Sequence, residues 1–180
     1  MQTLNPVITR LFSKRGISTE DIPQFLSWNL NDIPDLTNMI DLKKASHRLI
    51  TAMDKGEKIA VYGDYDVDGT TSCALLWHFF NMLGVSVGLY QPSRFIEGYG
   101  VHPSSIDEAV NDGVKVLITV DCGITNTQTA DYAQGKLDLI ITDHHRDAAP
   151  ELPKAYAVVN PCRRDEPQDS PLRSLAGVGV

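Results

Sequence analysis

The chain has 180 residues, 42% of them hydrophobic, and a formal net charge of −7, enough apolar content for one ordinary core with at most a small addition. No apolar stretch is long enough to span a bilayer, and residues 1–10 lack the basic start and apolar run of a secretion signal, so a cytoplasmic protein is expected. Cys73, Cys122 and Cys162 are odd in number and scattered without a CxxC pair, which argues against a disulfide framework or structural zinc; the acidic balance opposes nucleic acid as a partner unless bound cations reverse the local sign.

Residues 1–55 carry helical signals and read as a helical N-terminal lead-in. Ser18-Thr19-Glu20-Asp21 resembles a capped helix start, and Met39, Leu42, Leu49 and Met53 recur at helical spacing between 36 and 53. From Lys58 the pattern becomes strand, loop, helix. Strands are predicted at 58–63, 85–90, 115–120, 137–142 and 157–159, and helices at 70–83, 103–111 and 126–134, the second opening on a proline. The polar, proline-containing run 165–171 reads as a mobile loop. Strands alternating with helices indicate an α/β fold with a parallel sheet flanked by helices, whose ligands collect beyond the carboxyl ends of the strands. Residues 56–180 would form that domain.

Three acidic clusters follow three of those strands: Asp64-Tyr65-Asp66-Val67-Asp68-Gly69, Asp121-Cys122-Gly123 and Asp143-His144-His145. Carboxylates drawn this close repel and resist ionisation without a counter-ion, so a divalent metal at the sheet edge is the economical reading. An exposed acidic turn is the bland alternative for the first cluster, and a simple helix cap for Asp121. An EF-hand matches at Asp64, Asp66, Asp68 and Gly69 but fails at Leu75, where the loop requires a bidentate glutamate. Cys122 is a candidate nucleophile with His144 or His145 as base, though no orienting group is evident and the carboxylates would raise the thiol's pKa. Adjacent imidazoles seldom serve packing, and oxygen-rich donors with histidine suit manganese or magnesium better than zinc. His47 and His78 fall within predicted helices as plain structural residues.

Taken together, GDYDVDGTTS at 63–72, VDCGIT at 120–125 and TDHH at 142–145 resemble the DHH phosphoesterase superfamily. PSRFIEGYG at 92–100, VVNPCR at 158–163, LAGVGV at 175–180 and RGIS at 15–18 narrow the resemblance to the RecJ family of single-strand-specific 5′ to 3′ exonucleases. The resemblance implies a phosphodiesterase using two Mn2+ or Mg2+ ions, held by Asp64, Asp66, Asp68, Asp121 and His144, with Asp121 bridging. It implies that His145 contacts phosphate or assists proton transfer and that Asp143 orients an imidazole. Arg94 is expected to make a second phosphate contact, against a plain ion pair with Glu97.

The family's fourth motif and its C-terminal domains would lie beyond Val180, so the chain reads as an N-terminal fragment with a truncated domain, and weak metal binding with little nuclease activity is expected of it alone. The expected parent is a monomeric exonuclease on single-stranded DNA in recombination and repair. A DHH hydrolase of small phosphates (short oligonucleotides, cyclic dinucleotides or pyrophosphate) and a catalytically silent binding module are the alternatives. No basic, aromatic-bearing patch marks a nucleic-acid groove in the sequence.

Overall fold

The computed structural model describes residues 5–27, 29, 31, 33–93, 95, 98–146 and 149–175, and these fall into two compact units divided between Pro34 and Asp35. The first contains α1 (Pro6–Lys14), capped by the Asn5 side chain on the Val7 N–H, and the single turn α2 (Ile22–Phe25). Phe12 and Phe25 meet edge to face, with centroids 5.3 Å apart. The helix predicted from the Ser18 cluster is thus one turn long.

The second unit begins ahead of α3 (Leu42–Asp54), so the helix predicted from 36–53 packs with the sheet, on β5. It starts later than the apolar spacing suggests because Asp41 takes a left-handed conformation, φ 63°, and its carboxylate accepts the Val158 N–H and pairs with Arg163. Then follow β1 (Lys58–Gly63), α4 (Val67–Met82), β2 (Val87–Tyr90), α5 (Pro103–Asn111), β3 (Val114–Val120), α6 (Thr127–Ala133), β4 (Asp138–Thr142) and β5 (Ala157–Val159).

All five strands are parallel, in the order β2-β1-β3-β4-β5, which confirms the predicted α/β class. Alternation of side chains across the pleat divides the core in two. Ile59, Val61, Val116, Ile118 and Ile140 pack with residues of α3 and α4 on one face, while Ala60, Tyr62, Leu117, Leu139 and Ile141 pack with α5 and α6 on the other. Strands buried on both faces read as continuous apolar runs, and truncating any one of these fully buried isoleucines to alanine costs about 2–5 kcal/mol. No helix among the described residues is long and apolar enough to cross a membrane.

The strand order reverses between β1 and β3. In an open parallel sheet this switch point leaves a crevice beyond the carboxyl ends, where neighbouring loops part to opposite faces. The first acidic cluster follows β1, the second follows β3, and the third follows β4 beside it.

Two local expectations change. Helix α4 starts at Val67 rather than Thr70, because Asp66 is its N-cap and accepts the Gly69 N–H at 3.0 Å. The segment after Asp165 is tied down: Arg163 donates to both Asp165 oxygens, at 2.6 and 2.9 Å, and the buried Glu166 carboxylate accepts the Ile40 N–H at 2.7 Å.

Candidate metal centre

The three loops bring their acids to one place through backbone continuations of the sheet. The Asp121 N–H donates to the Thr142 carbonyl and the Asp143 N–H to the Val159 carbonyl, so each acid is fixed one step past its strand. Thr119 and Thr142 brace the floor, their hydroxyls donating to the Cys122 and Thr119 carbonyls at 2.8 Å. Asp121 itself has φ 62°, a left-handed conformation that a non-glycine residue keeps only where its surroundings enforce it, often at functional sites. Gly123 follows at φ 117°, where a Cβ would come within 2.9 Å of Thr119 Oγ1, so glycine is required for the chain to turn here.

Asp143 is a buried organiser. Its Oδ1 accepts the N–H groups of His144 and His145 at 2.7 and 3.0 Å and lies 2.7 Å from His145 Nδ1, while Oδ2 accepts the Ile124 N–H at 2.9 Å. Burial alone would raise its pKa, but those donors outweigh it and hold the carboxyl below its usual range. The hydrogen bond from its ring to Asp143, with Asp143, Asp121 and Asp66 nearby, pushes His145 up to about 9. The His145 carbonyl is held in turn by the buried Asn160 Nδ2 at 2.9 Å.

Asp121 is the opposite case. Its Oδ1 lies 2.9 Å from His144 Nε2, but Oδ2 is buried and receives no hydrogen bond. Burial first, then the hydrogen bond that protonated Asp121 makes to Asp66, and then the charge of that carboxylate push the Asp121 pKa up to about 7. A buried carboxylate oxygen that receives no N–H or O–H from a neutral group and faces a second carboxylate must share a proton or a cation with it. Donor atoms of Asp121, His144 and His145 all lie within 4.8 Å of one another, the one such group of three among the described residues. Hard oxygen with imidazole nitrogen suits manganese or magnesium, so Asp121 with His144 fits a divalent ion, while His145, held protonated by Asp143, stands beside them as a cation.

The remaining predicted ligands stand around that group without belonging to it. Asp64 is buried and lines the same cavity of about 180 Å³ as Asp121, Asp143 and His145; burial raises its pKa despite the Tyr65 and Gly100 N–H groups. Asp66 is exposed, with its pKa lowered by the Gly69 N–H it caps. Asp68 lies half-buried in the first turn of α4. Arg94 and Glu97 lie outside the described residues. Cys122 is not a plausible nucleophile: burial and then Asp143 raise its thiol pKa well above the ordinary value, and it packs in the core. Asn160 was missed as a positioning residue, although VVNPCR contains it.

Residues 58–180 match the DHH family, N-terminal domain. The chain belongs to the DHH family. Among the relatives of this DHH domain, the single-stranded-DNA-specific exonuclease RecJ of Bacillus subtilis (strain 168) is 39% identical over 179 residues, covering 98% of this chain and 22% of its own length. The enzyme of the same name from Escherichia coli (strain K12) is 36% identical over 179 residues, covering 98% of this chain and 30% of its own. A crystal structure of exonuclease RecJ bound to manganese superposes with a TM-score of 0.69 at 33% identity, over 82% of this chain and 37% of that one. The chain therefore spans roughly a quarter of the length of the curated relatives it matches.

Proposed function

We propose that the DHH domain is the metal-dependent phosphodiesterase centre of an exonuclease on single-stranded DNA. The observation that carries this is the buried, unpartnered Asp121 Oδ2, set beside Asp66 and grouped with His144 and His145 beyond β3 and β4. The names of the relatives, single-stranded-DNA-specific exonucleases, and the manganese in the similar crystal structure support the substrate and the metal. Cleavage from the 5′ end, a role in recombination and repair and a monomeric state rest on the sequence resemblance, and a cytoplasmic location on the composition and the scattered cysteines.

In this reading Asp64, Asp66, Asp68, Asp121 and His144 hold Mn2+ or Mg2+, with Asp121 shared. When bound, such ions supply Lewis-acid charge at a phosphate and make water more acidic. Asp143 keeps His145 in place and positively charged near neutral pH. With its side chain 57% exposed at the cavity, the His145 imidazolium can donate to a phosphate oxygen or give up a proton. Arg94 is the second phosphate contact on sequence grounds.

Calorimetric titration of the 180-residue chain with manganese tests the assignment. Binding in the wild type and its loss in Asp121→Ala is expected; equal binding by both would show that the shared site is wrong. Comparing turnover of long single strands with that of dinucleotides and pyrophosphate tests the substrate. Turnover of the small compounds alone would put a small-phosphate hydrolase first.

A further inference from the structure

The cavity beside the acids also has an aromatic wall. Tyr99 lines it together with Asp64, Asp121 and His145, and its ring lies against that of Tyr65, with centroids 4.6 Å apart and planes inclined by 37°. Tyr65 belongs to the first acidic cluster, between Asp64 and Asp66, and its N–H donates to Asp64 Oδ1 at 2.6 Å. The aromatic pair is therefore built into the same backbone that presents the acids.

Tyr99 is also deliberately displayed. Gly98 and Gly100 on either side both take left-handed conformations, φ 78° and 88°. A Cβ at Gly100 would come within 2.6 Å of Asn126 Oδ1, and the Gly100 carbonyl accepts the hydroxyl of the buried Tyr62 at 2.9 Å. The turn is thus pinned to β1 and to the start of α6, yet Tyr99 remains 64% exposed. A ring packed merely to anchor this turn would bury itself; this one rests on Tyr65 and keeps much of its surface in water, at the lip of the cavity that Asp64, Asp121 and Asp143 line.

We propose that Tyr99, backed by Tyr65, stacks against the nucleobase of the nucleotide whose phosphate lies at the acidic group. The inference rests on the phosphodiesterase reading above and deepens it. With cations held by its carboxylates, a cavity of about 180 Å³ that also carries His145 suits a phosphate, and a base attached to that phosphate would lie toward the lip. Stacking on an aromatic ring needs no particular base, because every base has a π-face, and it suits single strands, whose bases are free to splay. Pyrophosphate offers nothing to stack, so this wall favours nucleotides over simple phosphates.

The test uses the 180-residue chain with manganese and a phosphorothioate-linked pentanucleotide that resists hydrolysis, carrying 2-aminopurine at its 5′ end, beside the same strand with an abasic 5′ end. Wild type should quench the 2-aminopurine fluorescence and bind the abasic strand roughly tenfold more weakly. Tyr99→Ala should lose both effects while keeping manganese affinity, and Tyr99→Phe should retain both. Equal binding of the two strands by wild type, unchanged quenching in Tyr99→Ala, or loss of manganese binding in Tyr99→Ala would each overturn the proposal; the last would make Tyr99 a structural prop. Manganese binding by wild type without oligonucleotide binding would also overturn it and leave the metal reading intact. Absence of manganese binding by wild type would instead remove the metal reading, and the stacking proposal with it.

Discussion

Among the described residues, two clusters of charge built partly on buried groups are treated in opposite ways. On the α3 side, Arg163 pairs with Asp41 at 3.1 Å and Asp165 at 2.6 Å, and Arg48 pairs with Glu57 at 2.6 Å and Asp138 at 2.5 Å. Each of these four acids has a guanidinium, which joins α3 to the strands, and the buried Glu166 carboxylate beside them is held by the Ile40 N–H. Beyond the carboxyl ends of β1 and β3, Asp64, Asp66 and Asp121 have no lysine or arginine partner among the described residues. Matched charge fixes the fold, whereas unmatched charge raises the energy of the metal-free chain and becomes favourable only with a cation present.

If the contrast is sound, charge removal should have opposite signs at the two places. The largest effect is expected for Arg163→Ala, which leaves Asp41 and Asp165 unpaired and withdraws a donor from the Val158 carbonyl. Chemical denaturation should show a loss of about 3–5 kcal/mol, while manganese affinity, measured where the variant is folded, stays within about twofold. A large fall in affinity would mean that the two regions are coupled.

Asp121→Asn should do the reverse. Metal-free, it relieves the repulsion from Asp66 and should gain about 1–2 kcal/mol, seen as a rise in Tm of roughly 2–8 °C, while manganese binding weakens by about 100-fold or more. Destabilisation instead would show that the Asp121 carboxylate serves the fold, through His144, more than the metal. Asp143→Asn comes next: one oxygen must replace two that serve four donors, so His145 loses its orientation and manganese affinity should drop about 10–100-fold, read by the same titration.

How much of this could be read from the residues depends on range. The strands were legible because burial on both faces leaves a continuous apolar run, and β1 and β5 have their predicted bounds. The start of α4 was not, because Asp66 spends one oxygen on a cap and so draws Asp68 into the helix. The polar run after Asp165 misled for a similar reason: its charges face inward to Arg163 and Ile40, partners that composition does not reveal. The acids and histidines could be placed at one sheet edge from the sequence alone. That Asp143 would be fully hydrogen-bonded and Asp121 left wanting could not, since both are single aspartates just past a strand. The meeting of Tyr65 with Tyr99 is set by the turn at Gly98 and Gly100, which no local pattern foretells.

The smallest expected effect is a pH slope that distinguishes the two regions without mutation. Burial and Asp66 push the Asp121 pKa from 3.8 up to about 7 on folding, so the folded state should hold its proton more tightly and metal-free stability should fall as pH rises between those values. His145, raised from 6.5 to about 9, contributes stability that is present below 6.5 and lost as pH climbs through 9. Both slopes have the same sign, and the carboxyls with lowered pKa values, Asp143, Asp66 and Asp165, have finished their opposite, acid-side contribution by about pH 5, so the metal-free chain should lose stability from about pH 5 to pH 9. The guanidinium pairs stay charged throughout and add no slope there. Manganese must displace the Asp121 proton, so its apparent affinity should climb up to tenfold per pH unit below 7 and flatten above, with proton release detectable by titration in buffers of different ionisation enthalpy. A metal-free stability that rises from pH 5 to pH 7 would mean that the carboxyl edge is already neutralised from within, and that its acids are matched after all.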